Sequence, residues 1–424
     1  MQKSPLAPTT VVLLQPPGTC TEFTRSRSKY PPLGLCHLAA TVTAMDAVVL
    51  DADAEDWSFE QTVVQVLARQ PKAVGMTLTS YTCELVERYA KTFHDRGLLV
   101  LAGGPHASLA PLDTFTRCPS VDVVVRGEAE AVFPALVRRI SAGQGVADLA
   151  GVCTRDAQET AEQVEILRVV DLSRFPPPSF EDLPVAAWWC PDARRRPMVT
   201  MLTSRGCPHR CAFCSSPELL GRQVRKHELS QILDHIQHLH DNLGVREISF
   251  VDDVFPISPR RTIALCEGIV ERGLDVSWFC NARADQITDE LADAMAKAGC
   301  HQVYLGFESG NQGILDTIEK RATVQQLERG AEILSKHGIA RSVGFVIGLP
   351  GESDETIADT IALARRVRPE RIQFTRFTPL IGSPLGRRMP SHGGFHKALH
   401  DQVGAWIAQC YQAVAGSDWG KESW

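Results

Sequence analysis

The sequence contains no run of 18 apolar residues, so no membrane-spanning helix is expected. Its opening residues, Met1-Gln2-Lys3-Ser4-Pro5, lack the apolar stretch of an export signal. It also lacks a positive surplus: 44 Lys and Arg stand against 50 Asp and Glu, a net charge of −6. That argues against the basic footprint of a nucleic-acid binder. Ten of the 13 cysteines are scattered, with no CxxC pair among them. A cytoplasmic location is therefore expected, where disulfides are disfavoured and clustered cysteines serve metal or catalytic roles. The scattered ten read as buried structural thiols, and a second metal cluster is not expected. With 424 residues, 44% of them hydrophobic, the chain reads as two or three globular domains.

The three remaining cysteines are clustered. Cys207, Cys211 and Cys214 lie in the run Cys-Pro-His-Arg-Cys-Ala-Phe-Cys. The spacing offers three thiolates to a cubane that has four irons, so one iron would stay open. An open coordination position points to chemistry rather than scaffolding. The run follows the apolar stretch Pro197–Thr203, which reads as a strand, and precedes a helical stretch.

The fold class expected is α/β, in two parts. In the N-terminal third, Val11–Leu14, Val48–Leu50, Ala73–Thr77, Leu98–Ala102 and Val121–Val125 are short and nearly continuous in apolar residues. Such runs suit parallel strands buried on both faces. They alternate with amphipathic stretches such as Glu84–Arg96, which stops at Gly97. This predicts a doubly wound, Rossmann-like sheet over residues 1–142. Ligands on such sheets bind at strand carboxyl ends. There the sequence places Gln15-Pro16-Pro17, Thr77-Leu78-Thr79-Ser80, Gly103-Gly104-Pro105-His106 and Gly127-Glu128-Ala129-Glu130. These small, glycine-rich and hydroxyl-bearing loops suit a large flat ligand with a polar tail. His106 reads as a turn residue bonded to backbone rather than as a ligand.

Residues 143–196 break the alternation and read as a linker. Gln158–Gln163 is polar, and Arg174–Pro178 with Pro184 forbids regular helix. Gly151–Thr154 and Leu167–Val170 are expected to form a small β element, and Trp188 and Trp189 to pack against one of the domains.

From 197 to 386 the βα pattern repeats six times, predicting a partial (β/α)6 barrel of the TIM type. Strands are expected at Met198–Thr203, Glu247–Val251, Val276–Cys280, Gln302–Phe307, Ser342–Ile347 and Arg371–Phe377. Ser258-Pro259 and Thr323–Gln326 read as helix starts, and Gly273, Gly299 and Gly338 as helix stops. Barrel chemistry sits at strand carboxyl ends. Those ends carry the cysteine loop, then Asp252-Asp253, then Asn281, Arg283 and Asp285, then Glu308, then Gly348–Glu352. Residues 387–424 read as a helical tail, with a helix over Phe395–Ala415.

These residues resemble the radical SAM superfamily, in the class that carries an N-terminal cobalamin-binding domain. The resemblance covers the cysteine loop with Phe213 before its third cysteine, the run Gly344–Glu352, the Tyr30–Leu35 entry, and the Gly103–His106 and Gly127–Glu130 loops. It implies a 4Fe–4S cluster on Cys207, Cys211 and Cys214. It implies S-adenosylmethionine bound at Phe213, Asp252, Asp253, Arg283, Glu308 and Gly348. It places cobalamin at Thr77, Ser80, Gly103, Gly104, Gly127 and Glu128. One departure is plain. The Asp-x-His-x-x-Gly cobalt-ligand signature is absent, and Asp51, Asp53 and Glu55 occupy its region without a histidine. Residue by residue, Asp253 could instead cap the turn into Pro256, and Glu308 could pair with Arg283 or Lys320.

The activity the resemblance implies is reductive cleavage of S-adenosylmethionine to a 5′-deoxyadenosyl radical, with a flavodoxin or ferredoxin as electron donor. With cobalamin bound, the expected outcome is methylation of an unactivated carbon in a small molecule. Without it, the alternative is dehydration or deoxygenation of a sugar or aminoglycoside diol, towards which the short stretch after Pro379 leans. A methylthiotransferase is disfavoured for want of further cluster cysteines and of a basic RNA-binding module. A non-catalytic corrinoid binder would not need the three cysteines.

Overall fold

The computed structural model describes residues 9–18, 28–389 and 397–415. The chain divides into two compact units. One comprises residues up to Thr200 with 225–231 and 241–245. The other comprises 201–224, 232–240 and the residues from Arg246 onward.

The first unit is built on a six-stranded sheet. Its strands are Val11–Gln15, Ala47–Asp51, Ala73–Thr77, Leu99–Gly103, Val123–Val125 and Val152–Thr154. In space they run second, first, third, fourth, fifth, sixth. The first five are parallel, with Val12 level with Val48 and Val74. The sixth is antiparallel. Val12, Leu14, Val74, Val100 and Val124 are essentially inaccessible, and Tyr89, Phe93 and Phe115 pack over them. Strand order reverses between the first and third strands, which is where such sheets open a ligand crevice.

The stretch 143–196 is not a separate linker but belongs to the first unit. Its β element is smaller than expected: Val152–Thr154 is a strand, whereas Leu167 makes a single bridge to Gly127. Polar Arg155–Gln163 forms 3₁₀ turns with only Ala161 buried. The reason is Arg126, whose buried guanidinium donates to the carbonyls of Ser108, Ala161, Glu162 and Val164. One side chain thus satisfies the carbonyls that end the turns. Trp188 is fully buried, and its indole donates to Asp51 Oδ2 at 2.7 Å. Asp51 and Asp53 are structural anchors here: Asp51 also accepts from the Ala54 amide, and Asp53 accepts from the Gly18 amide.

The second sheet holds six strands in sequence order: Met198–Met201, Glu247–Phe250, Ser277–Ala282, Cys300–Glu308, Ala340–Ile347 and Arg371–Arg376. The pairs from the second strand onward are parallel. Thr323 and Gln326 close a capping box, and Gly273, Gly299 and Gly338 take positive φ after their helices, as expected. Ser258 makes no capping bond, although Pro259 begins its helix. The tail helix is observed as Lys397–Ala415, with residues 395 and 396 outside the described residues. It covers the last strand, and Tyr411 Oη accepts a hydrogen bond from the Phe374 amide. An edge amide is thereby satisfied and hidden. Among the described residues no helix is long and apolar enough to cross a membrane.

After the fifth barrel strand, Glu352 Oε2 accepts from the Gly348 and Leu349 amides. Its Oε1 is buried without a partner. Burial pushes this carboxyl up to about 7, against the two amide bonds. The folded chain therefore holds the proton more tightly than the unfolded chain. The neutral form's contribution is whole below the ordinary carboxylate range and is lost as pH rises through about 7. The urea midpoint should thus fall more steeply between pH 5 and pH 8 in the wild type than in Glu352→Gln; parallel profiles would refute this account.

Gly330 lies inside the helix Val324–Lys336, where alanine would ordinarily stabilise by about 0.5–1 kcal/mol. A Cβ there would stand 2.2 Å from the Ala284 carbonyl oxygen. Overpacking against backbone costs about 1–3 kcal/mol, so Gly330→Ala should lower Tm rather than raise it. Calorimetry of the two proteins decides the sign.

Candidate functional site

The cysteine loop leaves the first barrel strand through a buried brace. Asp252 has no exposed surface, and its carboxylate accepts from the Thr203 amide (3.0 Å), the Thr203 hydroxyl (2.8 Å) and the Ser204 hydroxyl (2.6 Å). Burial raises its pKa and these bonds oppose the rise. Both oxygens are therefore occupied by the base of the loop itself. Gly206 follows with φ +98°, and a Cβ there would lie 2.4 Å from the Gln223 carbonyl oxygen. Only glycine fits this crossing. Three further backbone bonds hold the loop: Cys207 N to Gly221 O, Ala212 N to Ile318 O, and Leu385 N to Ala212 O.

Cys207 is buried, while Cys211, Phe213 and Cys214 are half-buried. Burial pushes the Cys207 thiol up to about 11. Cys211 is also raised by burial, with Lys320 and then Arg283 acting in the opposite sense. Buried thiols of this kind become thiolates when metal cations replace their protons. His209, inside the same loop, is pushed down to about 4 by burial and by Arg283, and its Nε2 lies 3.3 Å from Gln286.

Asp253 is placed differently from Asp252. It is half-buried, its pKa is raised by burial, and its Oδ2 is buried with no partner. A desolvated carboxylate oxygen of this kind is matched to a cation. Arg283 is 5% exposed and is bound to Asp285, the Lys320 carbonyl and Cys211. Glu308 sits where the fourth strand slips register, at φ +66°, and its Oε1 accepts from Lys320 Nζ at 2.8 Å. The bulge re-aims the carboxylate into this buried pair. Gly348 turns at φ +96°, and a Cβ there would stand 2.9 Å from Val403 of the tail helix. Three thiols, an unpartnered carboxylate oxygen and two cations in ion pairs thus occupy or border one loop, and this donor set fits an iron–sulfur cluster beside a ligand with a positive group.

On the first sheet, Thr77, Ser80 and Gly103 are half-buried at the carboxyl edge. Ser80 and the other three cobalamin-side residues are engaged by the protein. Gly104 has φ +94°, and a Cβ there would meet Thr77 Cγ2 at 2.7 Å. A Cβ on Gly127 would meet the Leu167 carbonyl oxygen at 2.2 Å. Glu128 is buried against Arg225 and accepts from the Val169 amide. His106 is not merely bonded to backbone: its Nδ1 lies 2.9 Å from Ser80 Oγ, and Asp113 Oδ2 lies 3.0 Å from its Nε2. Sequence reasoning missed this contact, the placement of His209 beside Gln286, and the bonds of Glu352 to the Gly348 and Leu349 amides. His209 carried a signal, lying between two motif cysteines, whereas the His106–Asp113 contact joins separate turns and left none.

Comparison with known proteins agrees with this geometry. Residues 201–364 match the radical SAM superfamily, and residues 23–137 match the B12 binding domain. An uncharacterized methyltransferase of Pyrococcus horikoshii is 33% identical over 359 residues, covering 84% of this chain and 77% of that protein. A bacteriochlorophyllide d C-12(1)-methyltransferase of Chlorobaculum tepidum is 26% identical, covering 89% and 78%. Among solved structures, the radical S-adenosylmethionine methyltransferase TsrM of Kitasatospora setae superposes with a TM-score of 0.71 at 19% identity, covering 89% of this chain and 75% of that one. At that identity the likeness establishes the fold. A radical SAM domain implies a 4Fe–4S cluster and S-adenosylmethionine, and a B12 binding domain supports cobalamin. The chain belongs to the radical SAM superfamily, in the class that carries an N-terminal B12 binding domain.

Proposed function

We propose that this enzyme methylates an unactivated carbon of a small molecule in the cytoplasm, using S-adenosylmethionine, a 4Fe–4S cluster and cobalamin, with a flavodoxin or ferredoxin as electron source. The observation that carries this reading is the pairing, in one chain, of a three-thiol barrel loop with a B12-type sheet whose strand order reverses at a switch point. The relatives named as methyltransferases support the same outcome.

When bound, the cluster and S-adenosylmethionine supply a carbon-centred radical, and cobalamin supplies a methyl carrier. The chain's own part is positional. Cys207, Cys211 and Cys214 would hold the cluster through three thiolates and leave a position for the amino-acid end of S-adenosylmethionine. Asp253 Oδ2 would accept a hydrogen bond from that ligand's amino group, which would satisfy its buried oxygen. Phe213 would lie beside the adenine. Asp252 keeps the loop in register by bracing Thr203 and Ser204. Thr77, Ser80 and Gly103 would contact cobalamin, while Gly104, Gly127 and Glu128 shape the loops that present them.

The test is anaerobic reconstitution of the full chain with iron, sulfide and hydroxocobalamin. Equimolar corrinoid and cluster after desalting, with methylated product, is the expected result. A cluster without corrinoid would overturn methylation in favour of a cobalamin-independent radical reaction. Replacing any of Cys207, Cys211 or Cys214 by Ala should remove most of the bound iron. Asp253→Asn should keep its iron yet bind S-adenosylmethionine about 10- to 100-fold more weakly, the loss of a charged hydrogen bond of about 1.5–3 kcal/mol. Unchanged affinity by calorimetry would remove Asp253 from the site.

A further inference from the structure

The guanidinium of Arg283 is held by three hydrogen bonds from two of its nitrogens. Its Nε donates to Asp285 Oδ1 at 3.0 Å, and its Nη2 donates to Asp285 Oδ2 at 3.2 Å and to the Lys320 carbonyl at 2.7 Å. The side chain is almost fully buried. A planar fork fixed at Nε and Nη2 has no freedom left to turn. Its remaining nitrogen, Nη1, is aimed at Cys211, 3.7 Å from Sγ. The contact to sulfur is thus imposed by the clamp.

We propose that Arg283 is a positioning residue for the cluster, donating from Nη1 to the Cys211 sulfur and so raising the cluster's reduction potential. This rests on the reading of Cys211 as a cluster ligand. It departs from the S-adenosylmethionine-binding role that the family resemblance implies for Arg283.

The electrostatics point the same way. Reduction adds an electron to a cluster whose ligands are already thiolates. A donor held against one ligand sulfur stabilises the more negative state. The second cation at this corner, Lys320, is paired with Glu308 as Arg283 is paired with Asp285. The two pairs adjoin, since the Lys320 carbonyl accepts from Arg283 Nη2. Because both cations carry their own counter-ion, the corner adds little net charge. What it supplies is a directed N–H, in a buried place where a directed donor counts for more than it would in water.

The experiment is an EPR-monitored potentiometric titration of the reconstituted full chain, with iron content measured on the same samples. Arg283→Lys keeps the charge but loses the fork. Asp285→Asn keeps Arg283 but loosens its clamp. Both should assemble a cluster, and in Arg283→Lys the potential should move more negative by about 59 mV, a tenfold loss in the one-electron equilibrium constant. Asp285→Asn should shift it the same way. Full iron and an unchanged potential in both variants would overturn the proposal. So would loss of the cluster from a variant whose Tm matches wild type, because Arg283 would then serve assembly. A wild-type chain that binds no iron would instead sink the cluster reading on which the proposal rests.

Discussion

Everything at the mouth of the barrel hangs from one buried carboxylate. Asp252 is wholly removed from water, and three donors from Thr203 and Ser204 converge on it. A buried carboxylate with fewer partners would be costly. The geometry therefore locks the second strand's end to the stretch that leads into the cysteines. Gly206 then turns the chain where no side chain would fit. The three thiols do not set their own positions; the brace and the turn set them.

The same rule recurs in both units. Several charged groups withdrawn from solvent come as pairs: Glu128 with Arg225, Lys320 with Glu308, and Arg283 with Asp285. Breaking such a pair by removing one partner leaves an uncompensated buried charge, at a cost of about 3–5 kcal/mol. The pairs are thus better understood as fixing geometry than as adding stability. Glu308 makes the point: its left-handed backbone and the register slip beside it are tolerated because Lys320 holds the side chain in place.

Much of this was legible in the sequence because it is periodic or local. The apolar runs located all five parallel strands of the first sheet and all six of the barrel to within two residues at most ends, since a strand buried on both faces has little choice of composition. The cysteine spacing and the capping box at Thr323 are local signals of the same kind. What was not legible depends on residues distant in sequence. Asp252 and Asp253 are neighbours of identical chemistry, yet one is a brace and the other keeps an oxygen buried without a partner; nothing in the dipeptide separates them. Gly127 and Glu128 read as ligand-loop residues until Leu167 and Arg225 are seen to occupy them. The stretch 143–196 read as a linker because its turns are polar, and Arg126, which gathers their carbonyls, lies outside it.

The cover that Tyr411 and its helix place on the strand Arg371–Arg376 also constrains the order of events at the ribosome. Synthesis is vectorial, so this strand emerges before the helix that hides its edge. During that interval the Phe374 amide and its neighbours form an unpaired ladder able to recruit another nascent chain. Arginines at both ends of the strand, Arg371 and Arg376, put like charges on any two such edges that meet. The strand thus carries its own deterrent for the period when its permanent cover does not yet exist.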